Sequence, residues 1–408
     1  MLERVYLVGW APSRRVGLAA SRPGYPAGLD SLAELAELAR SAGAEVQGSL
    51  LQRSPRADPA TLIGAGKLAE ARALAGAAGA ECVIFDNDLS PTQLRNLEAA
   101  LGAKVLDRTQ LILDIFARRA HTREGQLQVE LAQLNYLLPR LAGQGTLLSR
   151  LGGGIGTRGP GEQKLEFDRR RIRARIRKLR EAIEHVRTQR ALHREHRRER
   201  RWLTAALVGY TNAGKSTLFN ALTQAGVESS PRLFATLDPT VRALRLGAGQ
   251  QVLLSDTVGF IRRLPPHLVA SFRATLEELE DAAVLVQVTD ASHPERDSQD
   301  AAVALLLESI GATSAPRLRV WNKIDLLAGA ERERLPEGPA EVAVSARTGE
   351  GLETLRRRLA DLLLQPPSLA PDRGHAASPT VTESASYLVS EHDDALGAPE
   401  PPRAVGSG

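Results

Sequence analysis

The sequence predicts an α/β protein with a small parallel α/β domain at the N-terminus, a long two-helix antiparallel hairpin, a doubly wound α/β domain and a disordered acidic tail. Three observations predict this order. Short β-rich runs alternate with helical runs in residues 1–121 and again in residues 201–365. Residues 122–200 carry two long amphipathic patterns, and residues 366–408 are poor in apolar side chains. A chain of 408 residues is long enough for two or three hydrophobic cores.

The composition is that of a globular protein. A hydrophobic share of 43% with 25% charged residues excludes collagen-like and wholly disordered chains. The single cysteine, Cys82, can form no intramolecular disulfide. The N-terminus lacks a basic-then-apolar leader, and no apolar run approaches the roughly 18 residues that a membrane helix needs. We therefore expect a cytoplasmic protein without a membrane span.

The first domain follows from its alternating elements. The sequence predicts strands at residues 5–10, 46–52, 82–87 and 104–107, and helices at residues 30–42, near 67–77 and after Ser90. Strands that alternate with helices favour a parallel sheet.

The hairpin follows from two helical patterns. Leucines at positions 127, 131, 134, 138 and 141 step by four and three, which indicates one amphipathic helix over residues 123–141. A heptad pattern from Leu165 to about Arg198 indicates a second helix. The stretch between them, LGGGIGTRGPGE at 151–162, has too many glycines for a regular element and is predicted to be a loop at the hairpin tip.

The second hairpin helix is strongly basic. From Arg169 to Arg201, fourteen arginines and Lys178 stand against four acidic residues, a local net charge of +11. Like charges one turn apart reduce helix stability, so this imbalance favours a polyanionic partner over a solvated surface. Arg173 and Arg177 are the side chains on this helix that we predict to contact RNA phosphates.

The last domain contains a phosphate-binding loop. Strands are predicted at residues 203–209, 252–256, 283–290, 318–323 and 341–346, which suits a doubly wound nucleotide-binding sheet. GYTNAGKS at 209–216 fits the pattern G-x-x-x-x-G-K-[ST] between the first strand and a helix. Its backbone amides would surround phosphates, Lys215 would reach the β and γ oxygens, and Ser216 would ligate Mg²⁺.

Four further motifs follow in the order of a GTPase. DTVG at 256–259 ends a strand, so Asp256 would hold Mg²⁺ and the Gly259 amide would meet the γ-phosphate. Thr236, in FATLDPT at 234–240, lies where a switch threonine ligates Mg²⁺ when GTP is bound. NKID at 322–325 supplies Asp325 to accept hydrogen bonds from guanine N1 and N2, and SAR at 345–347 would complete the base pocket. Five motifs in register predict a P-loop GTPase domain.

The predicted site residues divide by role. Lys215, Thr236 and Gly259 are the predicted catalytic residues, and Ser216, Thr236 and Asp256 the predicted Mg²⁺ ligands. The residues predicted to contact GTP or GDP are Gly209, Tyr210, Thr211, Asn212, Ala213, Gly214, Lys215, Ser216, Thr217, Phe234, Ala235, Thr236, Leu237, Asp238, Asp256, Thr257, Val258, Gly259, Asn322, Lys323, Asp325, Ser345, Ala346 and Arg347.

Two residues bear on how hydrolysis proceeds. Phe260 follows DTVG where many small GTPases carry a glutamine, and an apolar side chain cannot orient water. We therefore expect slow intrinsic hydrolysis that a partner accelerates. Asn212 either binds K⁺ in place of an arginine finger or bonds its own backbone, and the sequence leaves both open.

The sequence resembles the HflX-type GTPases, a ribosome-associated family. The resemblance covers about residues 5–365. It is carried by the glycine-rich stretch with KLE at 164–166 and by IGAGKL at 63–68, LSPTQLRNLE at 89–98, residues 105–134, GYTNAGKSTLFN at 209–220, FATLDPT and DTVGFIRRLP at 256–265.

The resemblance implies a stress-linked factor that binds the large ribosomal subunit and its RNA and separates stalled or idle ribosomes. On that reading Gly152, Gly153, Gly154 and Arg158 approach ribosomal RNA. We separately expect the cytoplasmic protein to associate with ribosomes or with a membrane surface. We also expect the protein to be a monomer. Some relatives also hydrolyse ATP. Gln163 stands where the family more often has threonine, and the acidic tail differs from the folded C-terminal extension of some members.

Two other classes of function compete with this one. A GTP-dependent RNA-binding switch or remodeller that acts off the ribosome fits the basic helix and the GTPase motifs equally well. A metabolic P-loop kinase does not fit, because NKID recognises guanine and nothing resembles an acceptor-binding lid.

Overall fold

A computed structural model describes residues 2–13, 29–141, 160–199, 202–224, 233–247, 250–264, 279, 282–312 and 315–364. The acidic tail at 366–408 and the loop glycines with Arg158 lie outside these residues. In the described part of the chain, no helix is long and apolar enough to cross a membrane.

The N-terminal domain is built on a parallel sheet, as predicted. Its described strands, in the order β2-β1-β3-β4, are β1 (Glu3–Pro12), β2 (Ala44–Ser54), β3 (Cys82–Phe85) and β4 (Lys104–Asp107). Three predicted helices are present as α1 (Leu29–Ser41), α2 (Ala65–Ala77) and α3 (Pro91–Leu101). Helix α3 begins where its sequence dictates, since Ser90 and Gln93 form a capping box and Pro91 occupies the first turn.

A fourth helix of this domain, α4 (Arg108–Arg119), was not predicted. It follows β4 without a loop, because Asp107 ends the strand and its Oδ1 accepts a hydrogen bond from the Gln110 amide at 2.9 Å. Its face with Ile112, Ile115 and Phe116 is buried. An aspartate cap before an apolar stripe is the signal that could have found it.

The hairpin helices are α5 (Arg123–Leu141) and α6 (Pro160–Glu199), and they pack along one seam. Leu131, Ile176 and Leu179 are buried in this seam. Arg175 pairs with both carboxylate oxygens of Glu130, at 2.6 and 2.7 Å. Helix α6 begins at Pro160, inside the predicted loop, because proline is well tolerated in a first helical turn.

The C-terminal domain has a six-stranded sheet in the order β10-β9-β8-β5-β7-β6. Its described strands are β5 (Thr204–Gly209), β6 (Thr240–Gly247), β7 (Gln250–Asp256), β8 (Val284–Asp290), β9 (Arg317–Asn322) and β10 (Glu341–Ala343). Its described helices are α7 (Lys215–Thr223), α8 (Arg296–Ser309), α9 (Gly329–Arg332) and α10 (Leu352–Leu364), with a 3₁₀ turn at Ile324–Leu326.

Five strands of this sheet match the predicted ones, and β6 is the addition. It lies antiparallel to β7 at the sheet edge. Leu244 and Leu246 are buried while Arg245 between them is exposed, which is the alternation of a half-buried edge strand.

The two α/β domains share one hydrophobic core. Leu35 and Phe116 of the first domain belong to the same buried cluster as Phe234 and Phe260 of the second. The Phe116 and Phe234 rings meet edge to face, with centroids 4.6 Å apart. The nucleotide-binding motifs therefore lie against the N-terminal domain.

Candidate functional site

The phosphate loop connects β5 to α7, and its backbone is shaped by glycine. Gly214 has φ +94°, and a side chain there would overlap the Asn322 amide. Lys215 is buried, and its Nζ donates to the carbonyl oxygens of Gly209 at 3.1 Å and Tyr210 at 2.8 Å. Burial lowers the pKa of Lys215 to about 8, while the charge of Asp256 opposes that shift. The ammonium group is thus fixed inside the loop, where phosphate oxygens would complete its hydrogen bonds.

Ser216, Thr236 and Asp256 form one cluster of oxygen atoms, although three separate segments supply them. Ser216 Oγ lies 2.7 Å from Thr236 Oγ1 and 2.7 Å from Asp256 Oδ2, and Thr236 Oγ1 donates to Asp256 Oδ2 at 3.0 Å. Burial raises the pKa of Asp256. A hydrogen bond from Ser216 and the charge of Lys215 oppose this shift. Asp256 Oδ1 is buried and has no hydrogen-bond partner among the described residues. Two hydroxyls and a buried carboxylate fit a Mg²⁺ ion.

The segment after Asp256 pairs with the phosphate loop. The Thr211 amide donates to the Phe260 carbonyl at 2.7 Å, and the Phe260 amide donates to the Gly209 carbonyl at 3.1 Å. A Cβ atom at Gly259 would lie 3.1 Å from Lys215 Nζ, so this glycine sits directly beside the lysine. The predicted catalytic residues Lys215, Thr236 and Gly259 therefore cluster at one end of the loop.

The motifs predicted to bind the base are joined by hydrogen bonds. Asn322 Nδ2 donates to the Ala213 carbonyl at 2.9 Å, and its Oδ1 accepts from the Ala346 amide at 3.0 Å. Ser345 Oγ donates to Asp325 Oδ1 at 2.6 Å and holds the pKa of that carboxyl below its usual range. The buried Asn322 side chain thus connects the phosphate loop to the base-binding segment.

Two cations lie in or beside these motifs and form ion pairs. Arg347 lies 2.6 Å from Asp325 Oδ2, and its side chain is 71% exposed. A base that bound Asp325 would therefore displace only a solvated ion pair. Lys323 has φ +65° and pairs with Asp290 at 2.6 Å.

The other predicted residues lie on the surrounding elements. Thr217 is in the first turn of α7, and Thr257 Oγ1 donates to the Leu207 carbonyl at 2.6 Å. Val258 is buried in the shared core. Asn212 has φ +63°, a left-handed conformation that asparagine tolerates.

Part of the predicted nucleotide site contacts the N-terminal domain. Phe234 and Leu237 are buried in the shared core, whereas Ala235 between them is half-buried. Both carboxylate oxygens of Asp238 accept hydrogen bonds from His121 and Thr122. Of this segment, Thr236 is the residue that reaches the oxygen cluster.

Sequence reasoning missed the N-terminal residues that contact the phosphate loop. The Tyr210 hydroxyl donates to Glu34 and accepts from the Arg262 amide at 2.9 Å. Arg108, which is buried, pairs with Glu34 and with Asp86, the latter at 2.9 Å. Tyr210 and Glu34 are 176 positions apart, and no local pattern links them.

The burial of Phe260 leads to a testable prediction. Its side chain is only 2% exposed and packs in the shared core, so it does not face the phosphate site. We expect Phe260→Gln to leave intrinsic GTP hydrolysis within about twofold and to lower the free energy of unfolding by about 3 kcal/mol. Phosphate release and thermal unfolding measure the two effects. Leu305→Gln, at a 53% exposed position on α8, is the matched control. A faster intrinsic rate in Phe260→Gln would contradict the buried placement.

Comparison with known proteins agrees with this geometry. Residues 29–117 match the family profile described as GTP-binding GTPase N-terminal, residues 119–197 match GTP-binding GTPase Middle Region, and residues 204–323 match 50S ribosome-binding GTPase. GTPase HflX of Caldanaerobacter subterraneus subsp. tengcongensis is 51% identical over 331 residues, which is 81% of this chain and 76% of the relative. GTPase HflX of Escherichia coli is 46% identical over 338 residues, 82% and 79% of the two chains.

The chain belongs to the HflX GTPase family. As an HflX-family enzyme it binds guanine nucleotide and hydrolyses GTP. A GTP-binding protein from Sulfolobus solfataricus, solved in complex with GDP, is 24% identical, with a TM-score of 0.46 and coverage of 89% of this chain and 99% of that chain.

Proposed function

We propose that this HflX-family protein binds the large ribosomal subunit and, under stress, separates stalled or idle ribosomes as it hydrolyses GTP. The observation that carries the proposal is the exposed basic face of α6. Arg173 and Arg177 are both exposed and form no ion pair with a described residue, while Arg175 is neutralised by Glu130. Exposed guanidinium groups along one helix face favour binding to RNA phosphates.

Two further observations support the ribosome as the partner. The profile that matches residues 204–323 is described as a 50S ribosome-binding GTPase. The hairpin holds its helices together by an apolar seam, so the segment that connects them, with Gly152, Gly153, Gly154 and Arg158, is the part we propose to contact ribosomal RNA. We further propose that the protein acts as a monomer, with domain boundaries at residues 121, 200 and 365.

The proposed chemistry assigns roles to the clustered side chains. Lys215 and the loop amides hold the β- and γ-phosphates, and the Gly259 amide contacts the γ-phosphate. Ser216, Thr236 and Asp256 would hold Mg²⁺, which neutralises charge on the phosphate oxygens when bound. Phe260 supplies no group that orients water, so hydrolysis is slow until ribosome contact orders the site.

Charge reversal on α6 tests the RNA contact. We expect Arg173→Glu with Arg177→Glu to weaken binding to purified large subunits by about 10-fold or more, because two phosphate contacts become repulsions. Co-sedimentation at several salt concentrations measures the affinity. Arg357→Glu with Arg358→Glu, on α10, is the charge-matched control. Equal affinity of the α6 variant and the control would contradict the proposal, and tight binding to free RNA without subunits would favour a switch that acts off the ribosome.

A further inference from the structure

Residues 233–238, which contain the proposed metal ligand Thr236, are attached to the N-terminal domain along their length. The Leu233 amide donates to Ser41 Oγ at the end of α1, at 2.9 Å. Phe234 packs its ring edge to face against Phe116 of α4 and holds a left-handed backbone conformation, φ +56°. Leu237 is buried in the shared core. An aromatic residue keeps a left-handed backbone conformation only where the surrounding structure fixes it. The contacts with the N-terminal domain therefore hold this segment in place.

Asp238 makes the last of these contacts, at the start of the hairpin. Its Oδ2 accepts hydrogen bonds from the amides of His121 at 2.9 Å and Thr122 at 2.8 Å. Its Oδ1 accepts from the Thr122 hydroxyl, which in turn accepts from the Gly125 amide at 3.0 Å. Asp238 therefore completes the N-terminal cap of α5 from another domain, and its charge lies at the positive end of that helix.

Gly125 shows that this contact depends on the absence of a side chain. A Cβ atom at position 125 would overlap Asp238 Oδ1 and would lie 3.2 Å from Thr122 Oγ1. Gly66, at the start of α2, has nothing within 4 Å of the same point. The close approach of Asp238 to α5 thus uses a glycine where α5 would otherwise gain stability from alanine.

We infer that Asp238 is a positioning residue for GTP hydrolysis, because it attaches the segment that carries Thr236 to the first turn of α5. The inference rests on the proposed role of Thr236 as a Mg²⁺ ligand. Thr236 stands between two fixed points, Phe234 and Asp238, and its hydroxyl is already within 3.0 Å of both Ser216 and Asp256. An anchored segment loses less conformational entropy when it binds the metal and GTP.

This arrangement joins the metal site to the hairpin. The residues that fix Asp238 immediately precede α5, the helix that packs against the basic α6. Because coupling between two sites is reciprocal, a displacement of α5 changes the affinity of the Thr236 site for the metal, and metal binding in turn restrains α5.

The experiment compares the Mg²⁺ dependence of GTP hydrolysis in the full-length protein. For Asp238→Ala we expect the Mg²⁺ concentration at half-maximal rate to rise about tenfold, as lost hydrogen bonds of this strength predict. Gly125→Ala, which displaces the same carboxylate from the other side, is expected to cause the same shift. Affinity for GDP, measured with a fluorescent analogue, is expected to change less than about twofold, because the phosphate loop and base pocket are untouched.

Matched variants separate positioning from general damage. Thr122→Val removes the hydroxyl and is expected to reproduce the shift, whereas Thr122→Ser keeps the hydroxyl and restores normal behaviour. Asp361→Ala, an exposed carboxylate on α10, and Gly66→Ala are expected to behave as the unmodified protein.

Thr236→Ala distinguishes this inference from the proposed metal site. If Thr236→Ala leaves the Mg²⁺ dependence unchanged, the metal role of Thr236 is wrong and the inference falls with it. If Thr236→Ala shifts the dependence while Asp238→Ala and Gly125→Ala do not, the positioning role is overturned and the metal site stands. An equal loss of GDP and GTP affinity in Asp238→Ala would also overturn it.

Discussion

A Lys215→Ala variant is expected to lose GTP turnover by about 10²–10³-fold, since one preorganised cationic donor to the transferring phosphoryl group contributes that much. Nζ donates to two loop carbonyls, at 3.1 and 2.8 Å, and burial lowers its pKa to about 8. Lys323, whose side chain also lies beside Gly214, is paired with Asp290 and is not expected to substitute. Phosphate release in single-turnover conditions measures the loss.

A surface lysine provides the control for that variant. Lys104 is half exposed and pairs with Glu3 at 3.3 Å, so Lys104→Ala is expected to keep normal turnover. Retention of more than about a tenth of normal turnover in Lys215→Ala, with the fold intact by circular dichroism, would contradict the assignment of the phosphate loop.

The second large effect concerns base recognition. Asp325→Asn is expected to weaken GTP binding by about 10²–10⁴-fold, because two hydrogen bonds to a carboxylate contribute about 1.5–3 kcal/mol each. Ser345 already orients Asp325 Oδ1, and Oδ2 pairs with the exposed Arg347. Xanthine carries a carbonyl where guanine carries its 2-amino group, so the asparagine NH₂ can donate to it. The variant is therefore expected to prefer xanthosine triphosphate.

Competition between the two nucleotides measures that change. Asp297→Asn, an exposed aspartate on α8, is expected to keep the preference for GTP. Unchanged GTP preference in Asp325→Asn would show that the base is read by other groups.

The contiguous motifs of the candidate site could be predicted from the sequence. A phosphate loop, a strand-ending aspartate and the NKID segment are contiguous motifs whose backbone shape follows from a few residues, such as Gly214 and Asp256. In the structure, the Asn322 contacts to Ala213 and Ala346 join the phosphate loop to the NKID and SAR segments.

The contacts between domains could not be predicted in the same way. Thr122 and Asp238 are 116 positions apart, and the residues between them carry no periodicity that would pair the two. The linear motif predicts that Phe234 and Leu237 contact the nucleotide. It does not show that their apolar side chains pack in the core shared with the N-terminal domain. Strand β6 was also missed, because a short alternating edge strand is a weak signal beside the buried parallel strands.

GTP turnover with and without purified large ribosomal subunits tests the proposed activation by the ribosome. We expect strong stimulation by the subunits, because ribosome contact orders the nucleotide site whereas the buried Phe260 cannot orient the attacking water. We also expect the stimulation to disappear in Lys215→Ala. Turnover that is equal with and without subunits would contradict the ribosome as the activating partner and would leave a GTPase whose basic helix binds another RNA.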